Sequence, residues 1–141
     1  AALYIADSSR DETSKSCSLL RDKLVKGIMD MIPGSVLNGS MDKRLPNNVN
    51  FSFEGVQGES ILLGLDMAEI SASSGSACSS GSLEPSHVLL ALGQDSELAR
   101  GSLRMTLGKF NTETEMEYVL QVLPTLVQEL RGLPTLSSSG I

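Results

Sequence analysis

The 141 residues suffice for one domain with its own core and are too few for two ordinary ones. Hydrophobic residues make up 40% and charged residues 20%, a globular balance, but aromatics are only 4% and Trp is absent, so the core must come from Leu, Ile, Val and Met. A net charge of -6 argues against a nucleic-acid surface or an anionic membrane as partner, and no apolar run approaches the ~20 residues that span a bilayer.

No basic-then-apolar signal segment opens the chain. Ala1-Ala2-Leu3-Tyr4-Ile5-Ala6, without a Met, reads as the interior of something longer. The first predicted element is a helix over about 12–32, where Cys17, Leu20, Leu24, Ile28 and Met31 or Ile32 recur at steps of three and four. Pro33-Gly34 ends it. Ser35 to Leu37 can form a short strand, and Asn38-Gly39 signals a turn. Val49-Asn50-Phe51-Ser52-Phe53 alternates as a half-buried strand does. A short apolar helix follows over Glu59–Met67, and Glu69 to Ser73 reads as a strand.

Ser73 to Pro85 is a run of serines and glycines around one cysteine, Cys78, and is expected to be a mobile loop. A helix begins at Glu84-Pro85, with Pro at or near its first position, and closes at Gly93. Asp95 to Arg100 adds about one turn. Ser102 to Leu107 alternates as another strand. Thr112 and Glu115 form a capping box for a last helix that carries Met116, Val119, Leu123 and Val127 on one side. Pro124 should kink that helix, and Gly132 and Pro134 end it. The pattern predicts an α/β fold (an α+β sandwich), a small sheet covered by helices.

Three residues are candidates for chemistry. Cys78 has no apolar neighbour within four residues except Ala77, so little can pack it away, and an exposed loop thiol can ionise to a nucleophile. Cys17 lies on the apolar stripe of the first helix and reads as structural. Two cysteines in such different surroundings are no disulfide framework and point to a reducing compartment. Arg104 shares the outward side of its strand with Thr106, opposite Leu103, Met105 and Leu107. Its planar fork suits a carboxylate or phosphate held by two hydrogen bonds, or else an ion pair with a nearby Asp or Glu. His87, the only histidine, falls in a first helical turn and reads more readily as packing or capping than as a catalyst. No spacing of Cys and His suits a metal, and the Gly-Ser run lacks the residue order of a phosphate loop.

The run from Ser73 through Cys78 to Leu89 strongly resembles the cysteine loop of cysteine desulfurases of the NifS/IscS type. The resemblance continues through Ala91-Leu92-Gly93 and Ser102 to Glu113, and upstream through Arg44 to Phe53 and Gly58-Glu59-Ser60, covering about residues 15–132. It implies the small C-terminal domain of a fold-type I pyridoxal phosphate enzyme that converts L-cysteine to L-alanine. Cys78 would then be the nucleophile that keeps the sulfur as a persulfide, and Arg104 would hold the substrate carboxylate. The partners implied are L-cysteine, a large domain that binds the cofactor, and a sulfur acceptor such as an iron–sulfur cluster scaffold. The parent would be a homodimer, in a cytoplasm that is bacterial rather than organellar.

The chain departs from the family in one respect. None of Lys15, Lys23, Lys26, Lys43 or Lys109 lies in the family's histidine-lysine motif, so pyridoxal phosphate is not expected to bind this chain alone. The whole of 1–141 therefore reads as a single small domain of a longer enzyme, with 73–85 as its cysteine loop. A stand-alone persulfide carrier or docking module without cofactor chemistry is the alternative.

Overall fold

The computed structural model of the chain describes residues 1–74 and 84–132. The elements are α1 (Ala2–Met31), β1 (Ser35–Leu37), β2 (Asn48–Phe53), α2 (Gly58–Met67), β3 (Ser73–Ser74), α3 (His87–Ala91), α4 (Ser96–Arg100), β4 (Ser102–Thr106) and α5 (Glu113–Gly132). The strands form one antiparallel sheet in the order β1-β2-β4-β3. Helices α1, α2 and α5 bury one face of that sheet, which is the small helix-covered α/β sheet the pattern predicts.

The two central strands decide which side chains go where. Val49 lies opposite Met105 and Phe51 opposite Leu103, so all four point into the helices, together with Phe53. The Phe51 and Phe53 rings stack with centroids 6.0 Å apart. The same register puts Asn48 with Thr106, Asn50 with Arg104 and Ser52 with Ser102 on the opposite, polar face.

The apolar stripe of α1 buries Cys17, Leu24, Ile28 and Ile32, whereas Met31 is exposed. The helix starts ten residues earlier than its periodicity predicts, at Ala2 and not near residue 12. Leu3, Tyr4 and Ile5 stand in solvent along that first part, so no buried stripe marks it. α1 is crossed by α5, whose Leu120 packs on Gly27. A Cβ at Gly27 would come within 2.5 Å of Leu120 Cδ1, so a side chain there would require Leu120 to shift.

Two other expectations change. The predicted strand over 69–73 shrinks to Ser73–Ser74, because Glu69 sits at φ 60 and Ile70 N donates back to Leu65 O at 2.9 Å, closing α2 with a left-handed residue. Pro85 does not open α3: Ser86 is the N-cap and His87 the first helical residue. The capping box of α5 forms as read. Thr112 N donates to Glu115 Oε2 at 2.8 Å, and Glu115 N donates to Thr112 Oγ1 at 3.3 Å. α5 then runs past Pro124 as one element, although Pro124 has no N–H to offer the carbonyl of Leu120.

Charge fastens α1 to α5. Lys23 Nζ lies 2.6 Å from Glu113 Oε1 and 2.9 Å from Glu117 Oε1, which raises the lysine pKa and lowers that of Glu113. Glu115 is also held below the usual carboxyl value, first by the Asn111 amide and then by the Thr112 N–H.

Two predictions follow from these contacts. Gly101 has an ordinary φ of -80, but a Cβ on it would collide with the carbonyl oxygen of Phe53 and lie 2.8 Å from that of Val56. Backbone on both sides cannot give way, so Gly101→Ala should cost about 2–3 kcal/mol in urea unfolding. Gly108→Ala, which meets only Asn111 Oδ1 at 3.9 Å, should stay within about 0.5 kcal/mol. The carboxyls of Glu113 and Glu115 have folded-state pKa values below their unfolded ones. Their stabilisation is therefore complete above the unfolded carboxyl pKa of about 4.3 and lost as pH falls through the lower folded values. In unfolding measured from pH 6 to pH 2, on the order of the range where carboxyls titrate, Glu115→Gln should lose stability less steeply with acid than the parent chain; an identical acid limb would remove the capping box from the account.

Candidate functional site

On the polar face of the sheet Ser52 and Ser102 are buried, whereas Arg104 stands exposed. It is fixed there by alternation. Leu103 and Met105 are buried on either side of it, so its own side chain must leave on the outer face. No Asp or Glu among the described residues pairs with it, which removes the ion-pair alternative within that set. An arginine without an acidic partner among the described residues can take an anion from outside, and its fork matches a carboxylate.

β3 brings the cysteine segment to this arginine. Ser73 is paired with Arg104 and Ser74 with Leu103. Cys78 and the rest of 75–83 lie outside the described residues, so the predicted cysteine loop over 73–85 is described only at its two ends. Chain length nevertheless limits where Cys78 can be. It comes four positions after Ser74, a reach of at most about 14 Å for extended chain.

The other two candidates separate clearly. Cys17 is 3% exposed, packed in the core with Leu24 and Ile28, as its place on the helix stripe predicts. His87 opens α3, is exposed, and its side chain makes no hydrogen bond with the described residues. It therefore shows neither the capping contact nor the packing that its sequence position suggests.

A hydrogen-bonded group at the edge of the same face had no counterpart in the sequence reading. Asn38 Nδ2 donates to Asn50 Oδ1 at 2.8 Å and to Ser52 Oγ at 3.0 Å. Ser52 Oγ donates to Gln94 Oε1 at 3.0 Å, and Gln94 Nε2 donates to Asn38 Oδ1. Asn38 and Ser52 are buried, so these bonds satisfy groups that water cannot reach. Gln94 follows α3, so the group also ties the chain beyond the cysteine segment to the sheet. Arg44 supports it from below by donating to the carbonyl of Asn38, and burial, followed by the nearby Arg21, lowers the Arg44 pKa. Alternation puts Asn50 and Ser52 on the polar side of their strand, which is the available signal; Asn38-Gly39 signals only a turn.

A cavity of about 300 Å³ lies between Ile70, Thr106 and Tyr118, and another of about 430 Å³ between Ser14, Asn47 and Lys109. Arg104 lines neither. No helix among the described residues is long and apolar enough to cross a membrane, and no group of His, Cys, Asp and Glu among them could hold a metal ion.

The chain has recognisable relatives. The family model described as Aminotransferase class-V matches residues 1–119. The chain is 50% identical over 137 residues to the cysteine desulfurase IscS of Clostridium botulinum (strain Hall), an alignment covering 96% of this chain and 34% of the relative. It is 46% identical over 136 residues to the cysteine desulfurase IscS of Methanosarcina thermophila, covering 96% and 33%. Among solved structures, a NifS-like protein superposes with a TM-score of 0.73 at 31% identity, over 92% of this chain and 31% of its own. A NifS-like protein from Rickettsia africae shares the fold with a TM-score of 0.72 at 24% identity, over 86% of this chain and 31% of its own. The chain therefore spans about a third of the length of the relatives it matches.

Proposed function

The chain belongs to the class-V aminotransferase family, and from that premise we propose that it is the small, C-terminal domain of a longer cysteine desulfurase. In that enzyme Arg104 holds the carboxylate of L-cysteine and Cys78 takes its sulfur. The observation that carries the reading is the pairing of Ser73 with Arg104, which starts the Cys78 segment beside an arginine that has no acidic partner among the described residues. The extent of identity to proteins named cysteine desulfurase supports it.

The chemistry needs a thiolate at Cys78. It attacks the sulfur of the substrate, an S–S bond forms, and the substrate C–S bond breaks. The electron pair of that bond stays on carbon, which takes up a proton, so the products are L-alanine and a persulfide on Cys78. Arg104 orients the substrate by its carboxylate, which does not change in the reaction.

Pyridoxal phosphate is the electron sink that such a carbon needs, and the lysines of this chain do not fit it. Lys23 lies between two glutamates and Lys26 is paired with Asp30, while Lys109 stacks on Phe110 at 4.8 Å. Lys15 and Lys43 are exposed. A lysine that forms a Schiff base must lose its proton, which the ion pairs of Lys23 oppose. The cofactor is accordingly assigned to a large domain outside this chain, in a cytoplasmic homodimer. Sulfur acceptors such as an iron–sulfur scaffold protein would take up the persulfide sulfur. A stand-alone persulfide carrier is not favoured, since the relatives bear enzyme names.

The test uses the full-length enzyme that contains this chain, loaded with pyridoxal phosphate, with alanine formation from L-cysteine as the readout. Cys78→Ala should lower kcat at least about 100-fold. Arg104→Lys should raise KM about 10- to 100-fold, because a charge-assisted bidentate contact contributes about 1.5–3 kcal/mol. Undiminished turnover by Cys78→Ala would show that another group accepts the sulfur.

A further inference from the structure

We infer that Asn50 is a second contact for the same anion, its carboxamide pre-aimed so that an N–H of Asn50 and the fork of Arg104 hold one carboxylate together. The inference rests on the reading of Arg104 as the carboxylate holder and adds a residue to which no role has been given.

Asn50 is directly opposite Arg104 in the β2–β4 register, on the same polar face. Side chains so paired have Cβ atoms about 5 Å apart. A carboxylate spanning the two would meet donors from both strands. The Arg104 fork sets the plane of the carboxylate, and a neutral donor beside it adds a hydrogen bond from the second strand.

An asparagine is useful there only if its amide faces the right way, because its oxygen would repel what its nitrogen attracts. The neighbouring hydrogen bonds set that choice. Gln94, Asn38 and Ser52 form a closed ring of donors and acceptors. Gln94 Nε2 gives to Asn38 Oδ1, Asn38 Nδ2 gives to Ser52 Oγ, and Ser52 Oγ gives to Gln94 Oε1. In this arrangement each amide is oriented by its two neighbours, and Ser52 Oγ also lies 3.4 Å from Asn38 Oδ1, the second acceptor within its reach. The second N–H of the Asn38 amide leads out of the ring, to Asn50 Oδ1 at 2.8 Å. The Asn50 oxygen is therefore turned towards Asn38 and its Nδ2 away from it. That Nδ2 has no acceptor among the described residues. The main chain adds a further tie, with Asn38 N donating to Asn50 O at 2.9 Å.

Other features of the molecule do not compete. The two cavities do not reach Arg104. The exposed Leu3, Tyr4 and Ile5 of α1 have no identified cover. The buried Nε of Arg44 and Nη2 of Arg131 lie in guanidinium groups that clamp turns through other nitrogens.

The experiment is steady-state kinetics of the full-length, cofactor-loaded enzyme with L-cysteine, and inhibition by L-alanine, which carries the same carboxylate. Asn50→Ala should raise KM for L-cysteine and Ki for L-alanine together, each about tenfold, with kcat changed less than about twofold. Asn50→Asp keeps the oxygen that accepts from Asn38 and so preserves the ring, but it turns a second carboxylate oxygen towards the substrate. It should therefore be the worse of the two, with KM raised about 50-fold or more. A residue with a merely structural role would show the opposite order, the near-isosteric Asp being milder than Ala. The Asn50→Ala penalty should also shrink in an Arg104→Lys background, since the carboxylate is then no longer held at this point. Unchanged KM in both Asn50 variants, or a milder effect of Asp, overturns the role of Asn50 while Arg104→Lys still raises KM. If Arg104→Lys leaves KM unchanged, the carboxylate reading of Arg104 falls, and the inference about Asn50 falls with it.

Discussion

The register between β2 and β4 is the constraint on which everything else in this domain depends. It sets Phe51 against Leu103 on one face and Asn50 against Arg104 on the other. A slip of one residue would turn the phenylalanines into water and drive the guanidinium into the core, where an unpaired charge costs several kcal/mol. The fold therefore holds Arg104 outward with the same free energy that buries Phe51 and Phe53. Gly101 guards this register from the side, since Phe53 N donates to its carbonyl at 3.0 Å and no side chain fits there.

Given that register, the rest of the site follows by connection. β3 joins the sheet beside β4 for only two residues, and those two begin the segment that carries Cys78. The other end of that segment returns through α3 to Gln94, which is tied to the sheet by Asn38 and Ser52. Both ends of the cysteine segment are thus fastened to the face that displays Arg104. The helices on the opposite side act as ballast: α5 crosses α1 at Gly27 and is fastened to it again by Lys23 between Glu113 and Glu117.

What could be read in advance had a local signal. The alternation of residues 49–53 and 102–107 gave both strands, their buried faces and the outward direction of Arg104. Thr112 and Glu115, three positions apart, gave the start of α5, and the stripe through Cys17 gave its burial. What could not be read depended on distant partners or on a missing stripe. Leu3, Tyr4 and Ile5 face solvent, so the first turns of α1 carried no periodicity to recognise. The predicted strand at 69–73 failed because Glu69 adopts a left-handed conformation, which its residue type does not announce. The ring of Asn38, Ser52 and Gln94 joins positions far apart in the chain, and polar residues in a turn, a strand and a loop look unremarkable one at a time. The serine-rich run of 75–83 was legible as a motif, through its resemblance to the desulfurase loop, and not as a conformation.

The central claim is that Cys78, delivered beside Arg104, receives the sulfur of L-cysteine. Mass spectrometry of the full-length, cofactor-loaded enzyme after brief exposure to L-cysteine tests it most directly. The account predicts one additional sulfur atom on the peptide that contains Cys78, removable by reductant, and none on the peptide that contains the buried Cys17. Alanine formation with the extra sulfur on Cys17, or on neither cysteine of this chain, would contradict it.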